Sequence, residues 1–236
     1  MIALTSDHIA AFDRDGFVAV ENALDMATVE AARNRFEPMF SGKFETGLYP
    51  DEWNWRLGKD RPDVTRQICN GWKSDRTVAS IVLRADVGKA CAQLRRWPGA
   101  RMCQDNVIWK PPGTKPLGFH QDDSYQLWLE PPEMVTCWIA LDDTRADQGT
   151  IEHLKGSHRW PVAPPIRQFH APDDPLEDAR RAAAAAGIAD IDKVIVPIVV
   201  KAGTAVFHHG RTWHGSRDNR GTNPRRSVIS HCISAA

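Results

Sequence analysis

This sequence has no surplus charge of either sign, because 30 basic and 30 acidic residues cancel. A chain without an overall field lacks the electrostatic footprint of a nucleic-acid binder or of a protein drawn to an anionic membrane. It also lacks long apolar runs. Stretches such as Val194–Val200 fall far short of the ~20 residues that a membrane span requires. The opening residues turn polar at Thr5, Ser6, Asp7 and His8, which is not a signal-peptide pattern. Cysteine is sparse and unpaired: Cys69, Cys91, Cys103, Cys137 and Cys232 form no C-x-x-C pair. An odd count argues against a disulfide framework, and the expected compartment is the cytoplasm. Tyrosine is nearly missing, whereas tryptophan occurs nine times. That supply favours stacking on a ring-bearing ligand as well as ordinary core packing.

Two short motifs carry the chemistry. The first is His120-Gln121-Asp122, and the second is His214-Gly215-Ser216, followed by Asn219 and then Arg225-Arg226. Two imidazoles and one carboxylate are the ligand set of a non-haem Fe(II) centre that leaves one face of the metal open. A nearby guanidinium fits a cosubstrate bearing a carboxylate, which its fork grips with two parallel hydrogen bonds. On a strand, His120 and Asp122 share one face, with backbones roughly 6.6 Å apart. His214 supplies the third ligand from a distant strand. Asn219, Gly221, Asn223 and Pro224 are turn formers, so the chain can reverse and bring an arginine back beside His214. His208 and His209 compete for the third ligand position. Being adjacent on a strand, only one of them can face inward. The remaining histidines, His8, His153, His158, His170 and His231, read as surface or hydrogen-bonded residues. Parity does not decide between Arg225 and Arg226.

These segments, with Lys110-Pro111-Pro112-Gly113, Cys137-Trp138-Ile139-Ala140-Leu141-Asp142-Asp143 and Gly156-Ser157-His158, resemble the phytanoyl-CoA dioxygenase family of Fe(II)/2-oxoglutarate oxygenases. They come in the family's order over about residues 100–232. The opening Phe12, Asp15, Gly16, Phe17, Val18 and Val20 resembles the family's N-terminal part. The resemblance implies that His120, Asp122 and His214 are the iron ligands and catalytic centre. It implies that Arg225, chosen over Arg226 on the family spacing, binds the distal carboxylate of 2-oxoglutarate, with Ser216 beside it. Trp138 matches a tryptophan lining the cosubstrate pocket, and Asn106 and Gln104 fall near cosubstrate contacts. The implied cofactors are Fe(II), 2-oxoglutarate and O2. In halogenating relatives a small residue replaces the carboxylate ligand. Asp122 keeps it here, so hydroxylation or a related oxidation of a small-molecule C–H bond is expected. The alternative is a zinc- or other metal-dependent hydrolase or isomerase on a cupin-like barrel, which would have no use for Arg225. A non-catalytic binding module is a third reading, and retention of every ligand type counts against it.

The chain reads as one domain over residues 1–236. Residues 1–98 are mainly helical, with caps at Thr5 or Ser6 and at Asp25, and two short helices over 75–83 and 86–94. Residues 41–73 read as a long loop. From 99 onward the pattern is strand and turn, with strands over 102–110, 117–129, 134–142, 149–154, 193–200, 204–209 and 226–233. A helical insert lies near 171–192, where an alanine run favours a surface helix. The fold class is mainly β with flanking helices, a double-stranded β-helix or jelly roll of cupin-like form. Candidate substrate-pocket residues are Trp53, Trp55, Trp72, Lys73, Asp123, Tyr125 and Trp128. No cluster of Lys and Arg marks a CoA phosphate site. The expected substrate is therefore a free specialised metabolite, such as a sugar-bearing or amine-bearing compound.

Overall fold

The computed structural model describes every residue except Leu127. Helix α1 (Ser6–Asp15) starts at a capping box in which Thr5 accepts from the His8 amide and the His8 ring bonds back to the Thr5 N–H. It stops at Gly16, whose φ of +86° closes the helix in the left-handed conformation. Strand β1 (Phe17–Val20) follows, then α2 (Met26–Phe40), capped by Asp25. Strands β2 (Glu52–Asn54) and β3 (Arg66–Cys69) come next, then α3 (Arg76–Val82), capped by Asp75, and α4 (Ala85–Arg95). The expectation of a long loop over 41–73 is corrected by β2 and β3. Glycine, aspartate and tryptophan obscure strands this short, and edge pairing to the next strand makes them.

Eight further strands build the core: β4 (Ala100–Lys110), β5 (Leu117–His120), β6 (Val135–Ala140), β7 (Ile151–Leu154), β8 (Ile195–Pro197), β9 (Ala205–His209), β10 (His214–Ser216) and β11 (Arg225–Ser234). Helix α5 (Glu177–Ala185) lies in the expected insert between β7 and β8. One sheet runs β1-β9-β6-β11-β4-β3-β2, and the facing sheet runs β5-β10-β7-β8. All pairings are antiparallel, and successive core strands cross between the sheets except β7 and β8, which are neighbours in the small sheet. That is the double-stranded β-helix, extended at both edges of its large sheet by N-terminal strands.

Side-chain alternation sorts each strand of the large sheet into two faces. On β6, Val135, Cys137 and Ile139 join the core shared with α1–α4, whereas Thr136 and Trp138 point between the sheets. On β9, Ala205 and Phe207 face the helices and His208 faces inward. Each large apolar side chain buried in this layer contributes about 1.5–3 kcal/mol. The helices thus cover the outer face, and the inner face is left for polar residues. Among the described residues, no helix is long and apolar enough to cross a membrane.

The strand expected over 117–129 is cut to four residues. His120 ends β5, and Asp122 opens a 3-10 turn (Asp122–Tyr125). Of that expected strand, Leu127 lies outside the described residues. His120 and Asp122 therefore do not share the strand face that their spacing predicts. A turn, not a pleat, swings the carboxylate back to the imidazole.

Candidate active site

His120 and His214 are direct cross-strand partners on β5 and β10. Their ring centroids lie 4.3 Å apart. Asp122 Oδ1 is 3.5 Å from Nε2 of each ring. One ligand atom from each of the three residues falls within 4.8 Å of the others. Both rings are oriented from behind. Nδ1 of His120 donates to the Gly118 carbonyl and Nδ1 of His214 to the Thr212 carbonyl, each at 2.9 Å. A carbonyl only accepts, so the proton sits on Nδ1 and each Nε2 keeps a bare lone pair facing its neighbours. Burial, then the neighbouring His120, pushes the His214 imidazole well below its usual pKa. Burial works to raise the Asp122 carboxyl, but His214, His231, His120 and His208 outweigh it and hold it well below the carboxylate range. Two imidazole nitrogens and one carboxylate fit a divalent metal.

Local packing explains why His-Gly-Ser holds this place. A Cβ on Gly215 would come within 2.5 Å of the Phe119 ring and 2.9 Å of the Phe119 backbone. Any side chain there would push β10 off β5. Ser157 of the Gly156-Ser157-His158 segment accepts from the Trp213 amide at 2.9 Å and donates to Leu154. It anchors the residue just before His214. Asn219 closes the following turn by donating to the Lys110 and Asn223 carbonyls.

The triad lines a cavity of about 700 Å³ between the sheets. Arg225 enters this cavity from the large sheet, facing His214 across the sandwich rather than lying beside it as the turn reading expected. Its Nε donates to the Gly149 carbonyl and Nη1 to Ser227 Oγ, both at 3.2 Å. The guanidinium is buried, 6.0 Å from the Trp138 ring centroid. Among the described residues no carboxylate lies within ion-pair distance of it. Burial lowers its pKa to about 10, which leaves it charged at neutral pH. Arg226 lies on the other face, where it forms a fork with Asp142 at 2.8 and 3.0 Å. Ser216, Trp138, Asn106 and Gln104 all line the cavity with Arg225. Ser216 Oγ is buried without a partner. A buried cation and an orphaned hydroxyl on the wall of one cavity fit one carboxylate of a dicarboxylate.

The substrate-pocket expectations divide. Tyr125 and Trp128 line the cavity, together with Phe169 and His170. Trp53, Trp55, Trp72, Lys73 and Asp123 do not. On β2 the alternation turns Glu52 and Asn54 toward the cavity and Trp53 toward Phe44 and a separate surface pocket. Trp55 is buried under Arg66, whose guanidinium carbon sits 3.6 Å from its ring centroid. Lys73 pairs with Asp51, and the Trp72 amide donates to Asp105. Asp123 is fully buried and accepts from the Met134 amide. Burial, with the adjacent Asp122 charge, raises its pKa to about 8.

Two inward residues, Thr136 and His231, have no site role in the sequence reading, and His208 enters it only as a rival third ligand. His208 Nε2 lies 3.0 Å from Asp122 Oδ2, Thr136 donates to the same oxygen, and His231 bonds Thr136. The competition between His208 and His209 resolves as strand parity required, since His209 turns out toward Phe12 and His158. His231 shares the parity of Arg225 on β11, and Thr136 that of Trp138 on β6. That alternation was the available signal.

Residues 12–227 match the family model described as Phytanoyl-CoA dioxygenase (PhyH). Among curated proteins, the chain is 24% identical over 245 residues to dioxygenase cdmD of Talaromyces verruculosus, covering 95% of this chain and 72% of that protein. It is 24% identical over 238 residues to the ectoine dioxygenase of Nocardia farcinica, covering 95% and 76%. Among solved structures, the epimerase SnoN in complex with Fe3+, alpha ketoglutarate and nogalamycin RO superposes with a TM-score of 0.73 at 21% identity, covering 97% of this chain and 83% of that one. At that identity the superposition establishes the shared fold.

Proposed function

The chain belongs to the phytanoyl-CoA dioxygenase (PhyH) family, and from that premise we propose how its residues serve an iron- and 2-oxoglutarate-dependent dioxygenase acting on a small molecule. His120, Asp122 and His214 hold the iron through two bare Nε2 atoms and one carboxylate oxygen. Arg225 grips the distal carboxylate of 2-oxoglutarate, and Ser216 Oγ donates to it. Trp138 walls the same pocket, with Asn106 and Gln104 alongside. When bound, iron and 2-oxoglutarate supply oxygen activation coupled to decarboxylation, which oxidises a substrate C–H bond. The chain contributes position and exclusion of water. The inner faces of both sheets bury the site, and Arg225 meets a carboxylate in a place where water competes little. The observation that carries this reading is the convergence of three ligand atoms within 4.8 Å on the wall of a cavity that also holds a buried, uncompensated arginine. Neither the hydrolase nor the isomerase alternative gives that arginine a purpose.

The substrate is read as a free small molecule with ring and polar groups, oxidised by hydroxylation or a related step. The cavity volume suits one such ligand. Its walls are of two kinds: polar Glu52, Asn54, Gln67 and Asn70 on one side, aromatic Tyr125, Trp128 and Phe169 on the other. Among the described lining residues Arg225 is the sole lysine or arginine, so nothing there cradles the phosphates of an acyl-CoA. SnoN, which shares the fold, was solved in complex with Fe3+, alpha ketoglutarate and nogalamycin RO. The free cysteines fit a reducing compartment, and the cytoplasm is the proposed location. The test is anaerobic Fe(II) and 2-oxoglutarate titration, read by the metal-to-ligand charge-transfer absorption. No band with wild-type protein would refute the cofactor reading.

A further inference from the structure

The two oxygens of Asp122 have separate duties. Oδ1 faces His120 and His214, whereas Oδ2 turns toward the large sheet. There it accepts from the Thr136 hydroxyl at 2.5 Å and from His208 Nε2 at 3.0 Å. A carboxylate only accepts, so Thr136 gives its one proton to Asp122. Thr136 Oγ1 must then accept from His231 Nδ1, which lies 2.9 Å away. That leaves His231 Nε2 without a proton, and it accepts from Asn106 Nδ2 at 2.9 Å. Asn106 Oδ1 in turn accepts from Gln67 Nε2 at 3.3 Å. Every proton in the series points toward Asp122. The opposite direction is impossible while Asp122 is ionised. Gln67, Asn106, His231 and Thr136 sit on four different strands (β3, β4, β11 and β6), and all four are buried.

We propose that the one-way chain Gln67–Asn106–His231–Thr136, joined by His208, positions Asp122 so that it offers a single oxygen to the metal. The inference rests on the metal-site reading above. Two hydrogen bonds, from Thr136 and His208, occupy Oδ2. Only Oδ1 is left to coordinate. A carboxylate free to rotate could bind through both oxygens and take a position that cosubstrate and oxygen need. In a dry interior, chained hydrogen bonds polarise one another, so the hold on Oδ2 exceeds that of one isolated contact. Thr136, His231 and His208 line the same cavity and act as positioning residues through Asp122. The chain also begins at the cavity wall, since Gln67 and Asn106 line it. Asn106 has one N–H committed to His231 and its carbonyl committed to Gln67, so only one N–H remains for cosubstrate.

The test is a Co(II) titration of the full chain, followed by its visible spectrum and by apo-protein melting. Thr136→Val removes the hydroxyl and keeps the β-branched shape on β6. Metal affinity should fall roughly 10–100-fold, the range for loss of a group that orients a metal ligand. The Co(II) spectrum should change, because the carboxylate can then rotate. The apo melting temperature should stay within a few degrees of wild type. Thr136→Ser should restore both affinity and spectrum, an outcome that a merely structural role would not produce. His231→Leu cuts the chain one link further out and is read in the same way if Thr136→Val fails to fold. Wild-type affinity and spectrum in the folded variants would overturn the proposal. Failure of the wild-type protein itself to bind Co(II) would instead strike the metal-site reading beneath it.

Discussion

Replacing Arg225 with lysine separates the fork from the charge. The guanidinium is buried, oriented by Gly149 and Ser227, and has no carboxylate partner among the described residues. A lysine there keeps the cation but offers a single point of contact from a shorter, softer arm. The lost charge-assisted hydrogen bond amounts to about 1.5–3 kcal/mol. At 1.4 kcal/mol per tenfold, the apparent KM for 2-oxoglutarate should rise by roughly one to two orders of magnitude. The binding is distal to the reacting centre, so saturating cosubstrate should recover most of kcat. Arg226→Lys is the control, because Arg226 forks onto Asp142 on the other face of β11. That partly exposed pair contributes on the order of 1 kcal/mol to stability, and its loss should leave KM within about twofold. Steady-state succinate release against 2-oxoglutarate concentration reads both variants. A KM unchanged in Arg225→Lys and raised in Arg226→Lys would refute the reasoning, because the cavity-facing arginine would then not be the clamp.

Alanine at His120, Asp122 or His214 should abolish turnover and bound iron, measured by metal content after anaerobic reconstitution, whereas His209→Ala should retain both; normal turnover in His214→Ala would sink the ligand assignment. Asp105 is fully buried and accepts from the Gly71 and Trp72 amides, and burial raises its pKa to about 7. A raised carboxyl pKa means that the native state holds the proton more tightly, so stability should decline as pH rises from about 4, the unfolded value, to about 7. Denaturant midpoints should show that slope in wild type, and Asp105→Asn should flatten it; an unchanged slope would count against the assignment. Succinate release measured across free polar metabolites and acyl-CoAs should favour the former, and product-coupled turnover of a long-chain acyl-CoA alone would overturn the substrate reading.

Local chemistry and spacing made much of this protein legible before any fold was known. His120, Asp122, His214 and Arg225 are types that few structural needs explain together. Turn formers over 219–224 announced a reversal, and Thr5 or Ser6 and Asp25 announced helix starts, because a cap needs only its own next few residues. The fold class followed from repeated short strands. What remained hidden depends on pairing between distant segments. Two adjacent arginines look alike until β11 is seated between β4 and β6, which sends Arg225 into the cavity and Arg226 onto Asp142. Three residues at 52–54 read as loop until β3 and β4 make them an edge strand, and the alternation then presents Glu52 and Asn54 instead of Trp53. The turn at Asp122 replaced an expected pleat, because β5 ends where β10 and the Gly210 carbonyl capture its neighbours. His231 and Thr136 are ordinary residues in one dimension, and His208 is there only a rival ligand. They acquire meaning when three strands of one sheet bring them around a single carboxylate oxygen, a contact set by register across more than ninety residues of chain.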